Sequence, residues 1–375
     1  MNIDRRKFFA GAAATGASAG MGAGFSALAP RTARADTVFA PTPGVWRKFE
    51  MTTRIDILML KGVTRAWIPL PEMDAPGWFQ AMGSEWKTNG LAISYRAAPI
   101  GAEILHVRWA ASRTSPYVEI VSRFATRDRA LDLSKPGKVA PLPDARRRLY
   151  LRATDLMPVD GIVKHTADRI AGRAKTDLDK ARAIYEWVID NSYRRASTRG
   201  CGTGDIAALL KSGDLGGKCA DINSLFVGLA RAAGIPARDV YGLRIAPSRF
   251  GYKSLGANSE IVTRAQHCRA EVFLDGFGWA PVDPADVRTV MLEEPPGNLA
   301  ADDAKVVAAR KALFGAWEMN WLAYNCSHDV VLPGSKIGKV GFLMYPEAES
   351  GGARLDAHDP DNFRYAIRAK EIMPT

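Results

Sequence analysis

The chain has 375 residues, 47% hydrophobic and 24% charged, enough apolar material for a sizeable core in two ordinary domains or one large one. That composition excludes a disordered chain, a collagen-like fibre and a polytopic membrane protein. The 51 Lys/Arg outnumber the 40 Asp/Glu, for a formal charge of +11, but part of that excess lies in a segment expected to be removed.

Residues 1–35 read as a twin-arginine signal peptide. Arg5-Arg6 is followed by Lys7-Phe8-Phe9, a Gly/Ala/Ser-rich apolar stretch to about Ala29, and the cleavage pattern Ala33-Arg34-Ala35 ahead of Asp36. The other reading is an uncleaved anchor, yet five glycines between Gly11 and Gly24 make a poor bilayer helix. Cleavage leaves 46 Lys/Arg against 39 Asp/Glu, or +7, with no long basic run. Nucleic acid is therefore a poor partner. The mature chain is expected in the periplasm, with no stable membrane insertion. Its four cysteines, Cys201, Cys219, Cys268 and Cys326, contain no C-x-x-C pair and are too few for a disulfide scaffold. A lone thiol in an oxidising compartment invites a catalytic reading, and one disulfide among the other three stays open.

Residues 36–132 alternate with period two, as in Arg54-Ile55-Asp56-Ile57 and Tyr117-Val118-Glu119-Ile120-Val121, which predicts a small β-sandwich domain. Residues 133–150 are rich in Pro and charge and read as a linker. The remainder, 151–375, is assigned to a catalytic domain that carries further strands at its C-terminal end. A helix is predicted from Thr176 to about Asn191, capped by Thr176 with Asp179 three residues on. A glycine-rich stretch, 200–217, surrounds a short helical piece at 206–210. In the next helix Ile222, Leu225, Phe226, Leu229, Ala230 and Ala233 share one face, and Gly234 and Pro236 stop it. Strands follow at 238–245, 267–274 and 279–283, then a helix at 304–314 and two or three strands ending near Arg368.

The chemistry concentrates around Cys219. Gly216-Gly217-Lys218-Cys219 delivers a thiol to the first turn of a buried helix, where free N–H groups and the positive helix end favour a thiolate. The same N–H groups can hold an oxyanion. A small buried hydrophobe is the bland reading of such a cysteine. A thiolate needs a base, and His267 opens a strand on which His267, Arg269, Glu271 and Phe273 share a face opposite Cys268, Ala270, Val272 and Leu274. The second face reads as core. Asp283 ends the following strand. A three-residue hairpin loop, either 274–276 or 275–277, puts His267 and Asp283 on one face within reach. A plain two-residue turn would separate them unless a bulge intervened.

These residues resemble a known family. Gly217-Lys218-Cys219-Ala220-Asp221, the helix end Arg231-Ala232-Ala233-Gly234-Ile235-Pro236-Ala237-Arg238, His267, and Gly278-Trp279-Ala280-Pro281-Val282-Asp283-Pro284 look like the core of the transglutaminase-like superfamily, over roughly 160–286. The resemblance implies an α+β fold: a papain-like core of helices packed on an antiparallel sheet, preceded by a β-sandwich. It also implies a Cys-His-Asp triad on Cys219, His267 and Asp283, with no cofactor and no metal. Many members carry an aromatic residue two positions after the histidine, where this chain has Arg269. The oxyanion-hole side chain has no clear match: Gly213 stands six residues before Cys219, and Tyr193 is a conceivable hydroxyl donor.

The expected activity is attack of Cys219 on the amide of a peptide or protein, with water favoured over an amine as acceptor. The alternative is a non-catalytic module that uses the fold to bind a peptide or partner. A zinc site of Cys201, Cys219, His267 and Cys268 is a further rival, disfavoured because His267 and Cys268 leave the strand on opposite faces. Residues 247–265 are long enough for a lid over the cleft, and a plain surface loop is nearly as good a reading. Trp317 and Trp321 are expected to pack the two domains together.

Overall fold

Alternating burial builds two antiparallel sheets. In the strand Arg47–Asp56 every second residue is fully buried. It lies between Tyr117–Thr126 and Tyr365–Ile372, with Phe79–Thr88 on the outer edge. The second sheet runs Ala353–Arg354, Glu347–Ser350, Thr64–Pro69, Ala102–Trp109, Leu91–Ala97. Phe49, Met51 and Ile55 of the first share one buried cluster with Ala66, Ile68 and Val107 of the second, as in a sandwich. The computed structural model describes residues 38–58, 61–336 and 338–372; the signal peptide expected over 1–35 lies outside them.

Two boundaries differ from the sequence reading. Of the C-terminal strands, Trp321–Asn325 joins the core sheet, but the last ones do not. Tyr365–Ile372 pairs with Arg47–Asp56, and Glu347–Ser350 pairs with Thr64–Pro69. An alternating strand such as Tyr365–Ile372 needs one covered face and one free edge. Which edge it takes is settled by a contact across nearly the whole chain, so no local signal reveals it. The expected linker also ends in a helix, Asp144–Leu151. Tyr150 pins that helix down, buried against Trp279 and beneath the Arg238 guanidinium.

The remaining elements form the α+β core. Four antiparallel strands run in the order Gly278–Val282, Arg269–Leu274, Ala237–Arg244, Trp321–Asn325. The helix Cys219–Ala232 packs on the two middle strands and on the helices Gly161–Ala171, Asp177–Asn191 and Pro284–Glu293. Asp177–Asn191 starts as its sequence predicts, with the Asp179 N–H donating to Thr176 Oγ1 at 3.1 Å. Cys219–Ala232 is buried on every side rather than along one stripe. Its polar residues are therefore all engaged: Arg231 donates to the Ala237 and Arg152 carbonyls, and Ser224 to Asp239.

The strand Arg269–Leu274 is likewise buried on both faces. Glu271 sits between Arg129 at 2.6 Å and Arg238 at 2.7 Å. Arg129 in turn lies over the rings of Trp78 and Trp317, and Trp317 packs edge-on to both Trp78 and Trp321. This aromatic and ionic cluster joins the sandwich strands to the core sheet.

Candidate functional site

Cys219 is the first helical residue of Cys219–Ala232, behind Lys218 in extended conformation. Asp221, one turn in, holds the helix start to the glycine-rich loop. Its carboxylate accepts the N–H groups of Lys218, Thr203 and Gly204 at 3.1, 3.0 and 3.0 Å. Glycine is required for that approach, because a Cβ on Gly202 would fall 1.9 Å from Asp221 Oδ2, and one on Gly217 would fall 2.4 Å from it. The Ala220 N–H donates to the Cys201 carbonyl at 2.9 Å, so the loop docks one peptide away from Cys219.

The hairpin register decides how the histidine and the acid meet. Leu274 opposes Gly278, so the loop is 275–277, the second of the two registers that the sequence left open. Arg269 is then level with Asp283 and His267 lies on the diagonal. His267 Nε2 and Asp283 Oδ2 are 2.8 Å apart. The other carboxylate oxygen of Asp283 accepts from Asn223 Nδ2 at 3.1 Å and from the Asp286 N–H at 3.0 Å. Asp283 therefore holds the imidazole and N-caps the helix Pro284–Glu293 at once. Asn223 also donates to the Cys268 carbonyl at 2.8 Å and accepts the Ala285 N–H at 3.1 Å. It stands one helical turn after Cys219, so a single amide ties the helix Cys219–Ala232 to both other elements.

Three thiols meet at the site. Burial opposes charge on Cys219, but hydrogen bonds to Cys201, Cys268 and His267, and the charge of His267, outweigh it and hold this thiol well below its usual pKa. Its hydrogen bond to Cys219 and its burial push Cys201 up, and burial with the same kind of bond pushes Cys268 up. Burial and the Arg244 guanidinium disfavour the imidazolium of His267, yet Asp286 and Asp283 together bring its pKa up to about 10. All four cysteines are free and buried. Cys326 lies apart, against Tyr150 and Arg238.

Two arginines complete the charge pattern beneath the ring. Arg244 Nη2 donates to Asp286 Oδ1 at 2.5 Å, and Arg269 Nε lies 3.5 Å from Asp283 Oδ2. Arg269 does not line the cleft. It is buried beside Trp317 and Trp321 and donates to the Glu318 carbonyl. His267, Asp283 and Asp286 present ligand atoms within 4.8 Å of one another, an arrangement that could suggest a cation site. The donor set does not fit one, because Arg244 and Arg269 already neutralise both carboxylates and a dication would meet two guanidinium groups.

Cys219 and His267 border a cavity of about 400 Å³ that also reaches Cys201, Lys218, Gln266 and Tyr345. Arg194, Arg244 and Arg264 add positive charge to its wall, against the single acid Glu293. The segment 247–265 is hydrogen-bonded to the body of the protein and contributes Ser254, Gly256 and Thr263 to the cavity wall. Ser248 Oγ and the Arg249 N–H bond Glu318, Ser254 bonds Glu294, and the Val262 N–H donates to the Ile367 carbonyl. Tyr193 is largely exposed, and its hydroxyl donates to Asp214 at 2.9 Å, so it offers nothing to an oxyanion at Cys219.

Sequence reasoning missed Asn223, Arg244, Asp286 and Tyr345. Asn223 had a signal, as a polar residue four positions after Cys219. Asp286 had one too: Asp283-Pro284 followed by an acid at the third helical position is a helix start. Arg244 and Tyr345 had none, since only folding brings them to the cavity.

Residues 164–284 match the family model described as the transglutaminase-like superfamily, about a third of the chain. An uncharacterized protein of Haemophilus influenzae is 36% identical over 349 residues, spanning 86% of this chain and 91% of its own. Among solved structures, a candidate cysteine protease from Cytophaga hutchinsonii has the same fold at 15% identity, with a TM-score of 0.50 over 88% of this chain and 99% of that one. The periplasmic domain of TgpA from Pseudomonas aeruginosa, also 15% identical, covers 67% of this chain and 96% of its own with a TM-score of 0.32.

Proposed function

Because the chain belongs to the transglutaminase-like superfamily, we propose that it is a cysteine-dependent amide hydrolase acting through Cys219, His267 and Asp283. One observation carries the reading. A thiol held well below its usual pKa and an imidazole border one cavity, with a carboxylate 2.8 Å from the far nitrogen of the ring, the three coming from separate elements.

The Cys219 thiolate attacks the carbonyl carbon of an amide, forming a C–S bond and a tetrahedral oxyanion. The first-turn N–H of Cys219 points to that oxyanion. The oxyanion collapses, the C–N bond breaks, and the amine leaves with the proton carried by His267. His267 then takes a proton from water, which attacks the thioester, and release of the carboxylate regenerates Cys219. Asp283 keeps the ring oriented throughout. The acid on the cavity wall, Glu293, is already paired with Arg194 and so is not free to hold an amine, which favours water as the acceptor.

Export by the twin-arginine route to the periplasm belongs to the same proposal and rests on residues 1–35. Cell fractionation with Arg5-Arg6 changed to Lys-Lys tests it, and unchanged delivery refutes it. Proteome-derived peptide profiling of the wild type beside Cys219→Ala tests the chemistry. Cleavage present in the wild type and lost in the variant is expected, whereas cleavage that survives the substitution sinks the assignment. If the fold served only to bind peptide, Cys219 would alkylate like an ordinary thiol.

A further inference from the structure

The imidazole of His267 faces a second carboxylate that a three-residue catalytic reading leaves without a task. His267 Nε2 is 2.8 Å from Asp283 Oδ2 and 3.3 Å from Asp286 Oδ1, so one ring nitrogen lies between two acids. This leaves Nδ1 to meet the sulfur of Cys219. We propose that Asp286 is a positioning residue for His267, held in place by Arg244, and that it shares with Asp283 the task of keeping the ring charged and oriented. The inference rests on the Cys219–His267 reading above.

The chain is built to keep both acids ionised in a dry place. Asp283 and Asp286 are 0% and 1% exposed, and two adjacent buried carboxylates ordinarily cannot both stay charged. Here they sit at the N-cap and in the first turn of Pro284–Glu293, where the helix end favours negative charge. Arg244 adds a donor to Asp286, and its other arm donates to the Leu255 carbonyl at 2.8 Å, which fixes the guanidinium. Arg269 faces Asp283 from the strand. Burial opposes the charge of Asp286, and Arg244 and His267 overcome it and hold its pKa well below the usual carboxylate range. Burial and the charge of Asp286 instead raise Asp283. Asp286 thus supplies the firmer negative charge, and Asp283 the closer hydrogen bond.

The other ionisable groups around the ring are few. Cys219 lies on its far side with Cys201 and Cys268 beside it. Tyr185, from the helix Asp177–Asn191, faces Asp283 and is kept neutral by burial. None of these replaces the negative charge lost if Asp286 is neutralised.

The test is the pH titration of the His267 ring nitrogens by ¹⁵N NMR in the wild type and in Asp286→Asn, beside iodoacetamide alkylation of Cys219 read by peptide mass spectrometry. It needs no knowledge of the substrate. Removal of one negative charge in contact with the imidazolium is expected to bring the alkaline titration of His267 down by about 1 pH unit from about 10, roughly tenfold less imidazolium at a given pH above it. A purely structural ion pair would lower the melting temperature and leave the His267 titration in place, and that result overturns the proposal. A second reading needs no variant: the ¹⁵N resonances of wild-type His267 should report an imidazolium above pH 8, and a neutral ring at pH 7.5 overturns the proposal. If the wild type itself alkylates as an ordinary thiol, the Cys219–His267 reading fails. If the wild type alkylates as a thiolate and the His267 titrations of wild type and Asp286→Asn coincide, the role of Asp286 alone fails.

Discussion

Asn223→Ala probes the join between the helix that begins at Cys219 and the rest of the site. Asn223 is 0% exposed and makes three hydrogen bonds of 2.8 to 3.1 Å, to the Cys268 carbonyl, to Asp283 Oδ1 and from the Ala285 N–H. Alanine supplies none of them. Asp283 Oδ1 keeps its bond from the Asp286 N–H, so two backbone groups bear the full loss. At about 1–3 kcal/mol for each buried group left unpaired, the expected destabilisation is about 3–4 kcal/mol. That is a large share of a stability of about 5–15 kcal/mol. Urea unfolding followed by tryptophan fluorescence should show a lower midpoint at an unchanged slope. Asn223→Asp sharpens the test, because it keeps the shape but places a third acid beside Asp283 and Asp286. Burial raises the folded-state pKa of the introduced acid. Its deficit should therefore be small below about pH 4 and grow as pH rises above the unfolded value. A loss under about 1 kcal/mol for Asn223→Ala, or a deficit for Asn223→Asp that does not change with pH, would refute the claim that this amide holds the site together.

With Cys219 held well below its usual pKa and His267 raised to about 10, the thiolate is present throughout the neutral range. Its alkylation rate should change less than about threefold between pH 6 and 8, where an ordinary thiol changes about a hundredfold; a hundredfold change would contradict the ion pair. Glu271→Gln strips the shared anion from Arg129 and Arg238 and should cost about 3–5 kcal/mol. Cys219 alkylation should keep its wild-type pH profile in that variant, and a shifted profile would show that the two charge networks are not separate. Gly202→Ala drives a Cβ into the Asp221 carboxylate at φ +93°, whereas Gly213→Ala at φ +70° meets nothing within 4 Å. Thermal melts should place the first several kcal/mol below wild type and the second only about 1 kcal/mol below it; equal losses would show that the close approach to Asp221 is unimportant.

The three elements of the proposed chemistry were legible because each is a local event. A glycine pair before an amphipathic run starts a helix at Cys219. The alternation of the two strands, joined by Asp275-Gly276-Phe277, restricts His267 and Asp283 to a few registers. Gly234 and Pro236 end the helix where the apolar pattern stops, and in the structure the helix runs to Ala232. The helix Pro284–Glu293 went unseen because Asp283-Pro284 also begins turns, and only the bond from the Asp286 N–H to Asp283 shows which it is.

The sequence by itself determined the helix that carries Cys219, the hairpin that aligns the histidine with the acid, and an α+β class, since caps, turns and periodicity act over a few residues. The tertiary structure alone decided that the last strand pairs with the first sheet, that Arg244 and Tyr345 reach the cavity, that Asp286 meets the ring of His267, and that Arg269 turns inward to Trp317 and Trp321 rather than lining the cleft. Those placements depend on which distant surfaces exclude water together. The net charge on a buried group depends on every neighbour brought near it, and no short stretch of chain encodes that sum.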